Sequence, residues 1–156
     1  MSGQIDQRLA ELGIELPPAA APAANYVPFV ITGNQVFVSG QVPVMAGSVL
    51  HYQGKLGTEF GLEEGQAAAR LCAINILAQM KAACRGDLDR IVRCVKLGGF
   101  VNCTPDFDQH PPVINGASDL MVEVLGDNGR HARFAVGASN LPFNVAVEVD
   151  AVFEIA

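Results

Sequence analysis

The stretch Ala132-Arg133-Phe134-Ala135-Val136-Gly137-Ala138-Ser139-Asn140-Leu141-Pro142-Phe143-Asn144-Val145-Ala146-Val147-Glu148-Val149-Asp150-Ala151-Val152-Phe153 reads as a strand, a turn at Leu141 to Asn144, and a longer second strand. The second strand alternates with a period of two. Val145, Val147, Val149, Ala151, Phe153 and Ile155 share one side, and Ala146, Glu148, Asp150, Val152 and Glu154 the other. Arg133 and Glu148 sit inside otherwise apolar segments, where an ionised group is costly unless something pairs with it. A hairpin folding near Leu141-Pro142 brings Arg133 toward Glu148 across neighbouring strands. Two readings follow: an ion pair that closes the end of a sheet, or a fork that holds a substrate carboxylate or orients a water.

Upstream of this ribbon, Ile5, Leu9 and Leu12 fall at helical spacing before Gly13, so residues 2 to 12 form a short helical arm. Pro17-Pro18-Ala19-Ala20-Ala21-Pro22-Ala23-Ala24 follows as an extended linker, because its three prolines forbid a regular helix. Residues 1–24 are therefore an arm and linker, and 25–156 the domain. Tyr26 to Thr32 and Gln35 to Ser39 are strands closed by the two-residue turn Gly33-Asn34, with Pro28 placing the first at an edge. Ser39-Gly40-Gln41 ends the second strand with a glycine that lets another group approach the backbone.

Met45 to Gly61 reads as a loop with a weak strand near Val49 to Tyr52. A helix runs from Leu62 to about Arg85, with Ala69, Cys72, Ala73, Ile76, Met80 and Ala83 on its buried face and Gly86 as its stop. Ile91 to Val101 is a strand that Gly98-Gly99 interrupts as a bulge. After a loop at 104–112, a second long helix starts near Pro111 or Pro112 and buries Val113, Ala117, Leu120, Met121 and Val124 before Gly126. Asn115 lies off that stripe. Such an order gives an α+β sandwich, a single mixed sheet with two helices on one face.

Half of the 156 residues are hydrophobic and 17% are charged. So apolar a composition points to a homo-oligomer that buries the sheet face the helices leave open. A net charge of −6 with scattered cations argues against nucleic acid as a partner, and no long apolar run points to a membrane. Cys72, Cys84, Cys94 and Cys103 show no CxxC spacing and His51, His110 and His131 no HxxxH pair, so no metal is expected, and reduced thiols suit a cytoplasmic protein.

Ala132-Arg133, Leu141-Pro142 and Val147-Glu148-Val149, together with Gly33-Asn34 and Val38-Ser39-Gly40-Gln41-Val42-Pro43, resemble the signatures of the Rid family, the reactive intermediate deaminases also called YjgF-like or L-PSP endoribonuclease-like proteins. The resemblance spans about Asn25 to Phe153. It implies a chorismate-mutase-like (YjgF-like) fold and a homotrimer whose sheets line a central barrel, with clefts between subunits. It also implies hydrolysis of 2-imino or enamine acids to 2-keto acids and ammonia, with no cofactor. On that pattern Arg133 clamps the substrate carboxylate and Glu148 places or activates the attacking water. Gly40 offers backbone contacts, Tyr26 and Asn115 line the cleft, and the Ala135 carbonyl is available to hold water. The chain departs from the family where many members carry a cysteine at the position of Ala135, in the long loop at His110-Pro111-Pro112, and in Gly129-Arg130-His131. These mark a divergent branch. The alternative to an enzyme is a non-catalytic module that binds a small carboxylate metabolite in the same cleft. His131, two residues before Arg133, is either a general acid or a packed supporting group.

Overall fold

Sequence alternation and turn chemistry become three helices and seven strands in the computed structural model, which describes residues 3–21 and 24–156. The elements are α1 (Gln4–Glu11), β1 (Phe29–Thr32), β2 (Gln35–Gln41), β3 (Val44–Met45), β4 (Val49–Leu50), α2 (Leu62–Ala83), β5 (Ile91–Asn102), α3 (His110–Leu125), β6 (Ala132–Ala138) and β7 (Val147–Ile155). Single helical turns at Leu88–Arg90, Gly126–Gly129 and Pro142–Asn144 link some of them. Ser2, Pro22 and Ala23, which belong to the expected arm and linker, lie outside the described residues.

Five strands form one mixed sheet in the order β1-β2-β7-β5-β6, and β3 and β4 form a separate small ribbon. Every neighbouring pair in the large sheet is antiparallel except β5 and β6. A parallel pair needs a crossover, and α3 supplies it. Helices α2 and α3 cover one face, where Val36, Val38, Leu97, Val101 and the odd-numbered residues of β7 bury against Ile76, Met80, Val113, Leu120 and Met121. All the apolar positions assigned to the two long helices are buried. The fold class is thus the expected α+β sandwich, with α1 as a third helix.

Two expectations are corrected. First, β6 and β7 are not a hairpin: β5 lies between them. The 139–146 connection crosses the end of β5, where the Asn102 side chain donates to Val145 O at 3.0 Å and Asn144 Oδ1 at 3.1 Å and the Asn102 amide donates to Ala146 O at 2.8 Å. The chain therefore re-enters the sheet on the far side of β5. Second, Gly98 and Gly99 do not bulge. The ladder runs through them in register, and the irregularities of β5 lie earlier, between Ile91 and Arg93 and between Cys94 and Lys96. The pair serves packing: a Cβ on Gly99 would come within 2.6 Å of Ile114, and one on Gly98 within 2.3 Å of the Asp150 carboxylate.

The Gly33-Asn34 turn closes β1 on β2 as expected, with Gly33 at φ 59°. Strand β1 starts at Phe29, after Pro28. The arm is fastened to the body. The Asp89 carboxylate accepts from the Gln4 and Ile5 amides at 2.8 and 2.9 Å, capping α1, and Leu9 is buried. Gln79 Nε2 donates to Ala20 O at 3.0 Å. On the face opposite the helices, Val30, Phe37 and Val136 remain exposed, and Phe100 meets Phe134 edge-on with centroids 5.3 Å apart.

Where α2 and α3 cross, Gly116 lets the backbones touch. An alanine there favours an isolated helix by about 1 kcal/mol, but its Cβ would stand 2.1 Å from the Gln66 carbonyl oxygen, which is backbone and cannot swing aside. Overpacking of this kind costs about 1–3 kcal/mol. Gly116→Ala is expected to lower the urea midpoint, with a net loss of up to about 2 kcal/mol. A midpoint above that of the native chain would refute the close contact.

Candidate functional site

The arginine half of the site is built by β6 and α3. Arg133 stands in register with the buried Leu97, so it faces the helical layer at an edge strand. Helix α3 begins with prolines in its first turn, where a missing amide hydrogen costs nothing, and its register then points Asn115 and Ser118, three residues apart, at the strand. Arg133 Nη1 donates to Asn115 Oδ1 at 2.8 Å and Ser118 Oγ at 3.1 Å. Ser118 Oγ lies 2.8 Å from His131 Nε2, and His131 Nδ1 lies 2.6 Å from the Gly129 carbonyl oxygen. A carbonyl only accepts, so Nδ1 carries the proton and Nε2 accepts from the serine hydroxyl, whose lone pair is then turned toward Arg133. Burial, and then the Arg133 charge, hold the His131 imidazole below its ordinary value. A neutral His131 thus positions Ser118, which in turn positions Arg133.

The carboxylate half lies elsewhere. Val147 and Val149 point into the core, so Glu148 between them points to the opposite side, paired with Phe100. Strand β2 breaks register between Val38 and Gln41, which places Gly40 in the irregularity, and a Cβ there would come within 2.4 Å of Glu148 Oε1. Only a glycine lets the carboxylate lie against this backbone. Burial, and then the neighbouring Asp150, raise the Glu148 carboxyl above its ordinary value. Beside it opens a cavity of about 430 Å³ whose walls include Tyr26, Gly40, Gln41, Pro142, Phe143 and Glu148, with Pro17 to Ala21 of the arm along another side.

The six residues marked by the sequence therefore fall into two groups. Tyr26, Gly40 and Glu148 share the cavity. Arg133 and Asn115 are bonded to each other, and Ala135 follows Arg133 on the same face of β6. The expected meeting of Arg133 with Glu148 across adjacent strands does not occur within one chain: β5 separates their strands and the side chains leave opposite faces. Ser118 escaped the sequence reading; its one signal was a hydroxyl three residues after Asn115, on the same side of the helix. Among the described residues no group of three or more His, Cys, Asp or Glu side chains is placed to hold a metal ion, and no helix is long and apolar enough to cross a membrane.

The proton assignment at His131 has a measurable sign. Its folded-state value is depressed, so the stability it contributes is present above about pH 6.5, the ordinary histidine value, and is lost as pH falls through the depressed value. An NMR titration is expected to give a His131 midpoint below that of an exposed histidine, moving up in Arg133→Gln. A midpoint at or above the ordinary value would mean an imidazolium faces Arg133 and would refute the assignment.

A family model described as YjgF/chorismate mutase-like, candidate endoribonuclease, matches residues 6–155. Protein TCP17 of Trypanosoma cruzi is 52% identical over 157 residues, covering 99% of this chain and 96% of its own length. A solved structure of a protein of unknown function from Agrobacterium tumefaciens is 53% identical with a TM-score of 0.91, covering 97% of this chain and 92% of that one. A Shewanella oneidensis MR-1 structure, described as a candidate endoribonuclease, is 39% identical with a TM-score of 0.93, covering 98% of this chain and 100% of that one. Similarity extends at 26% identity and a TM-score of 0.62 to RidA of the Antarctic bacterium Psychrobacter, over 88% of this chain and 94% of that one. With the signature residues on a matching fold, the chain belongs to the YjgF/Rid family.

Proposed function

We propose that this protein hydrolyses reactive 2-imino acids, and the enamines in equilibrium with them, to 2-keto acids and ammonia at a cleft built by two copies of the chain. The observation that carries this reading is the division of the site: a positioned guanidinium on one face and edge of the sheet, and a carboxylate beside a cavity on the other. Neither half suffices for the reaction. A second copy that brings its β6 edge to the Glu148 cavity completes both, and the exposed Val30, Phe37 and Val136 supply apolar surface for association into the trimer expected of the family. An incoming cation would also stabilise the charged form of Glu148, whose carboxyl now stands raised by burial and by Asp150.

In this scheme Arg133, held by Asn115 and Ser118, binds the substrate carboxylate through its remaining N–H groups. The protonated imine is already electrophilic at C2. Glu148 takes a proton as water adds to C2, giving a carbinolamine. It returns that proton to the nitrogen, then accepts the hydroxyl proton as the C–N bond breaks. Ammonia leaves with the bonding pair and a keto acid remains. Tyr26 and the Gly40 backbone border the space the substrate would occupy. A ribonuclease reading fits less well, since a net charge of −6 opposes the approach of a polyphosphate backbone.

The test is release of ammonia and keto acid from enamines generated in situ by a pyridoxal-phosphate enzyme. Glu148→Gln is expected to lose about 10²–10⁴-fold in turnover, and Arg133→Ala to lose substrate binding. Mixing the two inactive variants by unfolding and co-refolding is expected to restore about a quarter of the native activity, the share of interfaces that pair an intact Arg133 with an intact Glu148. Absence of recovery would rule out a shared site. Saturable keto-acid binding without turnover would replace the deaminase by a metabolite-binding module.

A further inference from the structure

Three of the four cysteines are buried, and Cys103 alone is partly open. It follows the end of β5, and its Sγ lies 3.4 Å from Nε2 of His110, the first residue of α3. The imidazole is held edge-on against Phe107 with centroids 5.6 Å apart. Gly137 of β6 keeps the space for the pair: a Cβ there would come within 2.7 Å of His110 Nε2 and 3.0 Å of Cys103 Sγ. Burial holds the Cys103 thiol above its ordinary value, opposed by a backbone hydrogen bond at Ala138 and then by the positive charge of Lys55 from the loop before α2. The titratable and charged groups facing Cys103 are thus His110 and Lys55, while β6 contributes Gly137 and the Ala138 carbonyl, which the Cys103 amide reaches at 3.3 Å. A structural thiol needs no oriented imidazole. The buried Cys72, for comparison, donates to the Val147 carbonyl at 3.6 Å.

We propose that Cys103 is a nucleophilic thiol activated by His110, at a site for soft conjugated electrophiles of the α,β-unsaturated carbonyl class. At rest the S–H donates to Nε2. As an electrophile arrives, the imidazole takes the proton and the sulfur forms a bond to the β-carbon. The π electrons move to the α-carbon, which takes the proton back from the imidazolium. Atoms and charge balance with no oxidant or further reactant. The site stands apart from the Arg133 clamp, four residues away along β6, and its chemistry does not depend on imine hydrolysis.

N-ethylmaleimide, which reacts by this addition, is the probe, read by intact mass, peptide mapping and the rate between pH 5 and 9. One adduct, on Cys103, is expected in the native protein, with Cys72, Cys84 and Cys94 unmodified until the chain is unfolded. At pH 6, native Cys103 should label at least about tenfold faster than the same thiol in the urea-unfolded chain, where no imidazole stands beside it. His110→Gln should slow labelling at pH 7 by about tenfold or more. The proposal is overturned if Cys103 resists labelling in the native protein or reacts at the native rate in the variant. Should that variant misfold, the comparison with the unfolded chain decides alone: native Cys103 labelling at pH 6 no faster than the unfolded thiol refutes activation by His110.

Discussion

The buried amide of Asn102 governs the path of the chain through the sheet. The residue is fully buried at the end of the central strand β5 and its side chain is fully engaged. Its nitrogen donates toward Gly54, Asn144 and Val145, and its oxygen accepts from Lys55 Nζ at 2.6 Å. Lys55 also reaches the Ser139 carbonyl, so the loop before α2, the end of β5 and the start of the 139–146 crossing are tied at one point. A buried polar group left without partners costs about 1–3 kcal/mol, and several would be orphaned together if this crossing took another route. This constraint makes β7 cross to the far side of β5 and leaves β6 as an edge.

From that crossing follows the division of the site. Had β6 and β7 been neighbours, Arg133 and Glu148 could have neutralised one another as a simple structural pair. Instead the guanidinium is fixed by neutral acceptors, Asn115 and Ser118, which orient it without cancelling its charge. The carboxylate is half-buried near another carboxylate, which disfavours its ionised form. Each half is electrostatically unfinished in a single copy. The same sheet leaves apolar side chains uncovered on the Glu148 side, so the surface that favours association and the carboxylate that lacks a counterpart lie on one face.

Glycines set the tolerances of this arrangement. Gly40 admits the Glu148 carboxylate to the backbone of β2, Gly99 admits Ile114 of α3 to β5, and Gly116 brings α3 against α2. The helix carrying Asn115 and Ser118 is thereby held close to both the sheet and its neighbouring helix. Small shifts there would be transmitted to Arg133, because packed interiors yield little.

Most of the secondary structure could be read from the sequence, because its signals are local. The period of two in β7, the helical stripes of α2 and α3, the glycine turn between β1 and β2 and the proline that delays β1 depend on neighbours a few residues away. Arg133 and Glu148 could also be singled out as candidates, since a charge in an apolar strand is rare on its own terms and the signature spacing is short. Their grouping was not. Which strands become neighbours depends on contacts such as Asn102 with Val145, far apart in sequence and without any local signature, and the role of Gly98-Gly99 depends on Asp150 and Ile114 from other elements. The candidates were thus named by sequence alone, whereas the assignment of Arg133 and Glu148 to opposite faces was decided by tertiary structure, because strand order is set by long-range packing and hydrogen bonding.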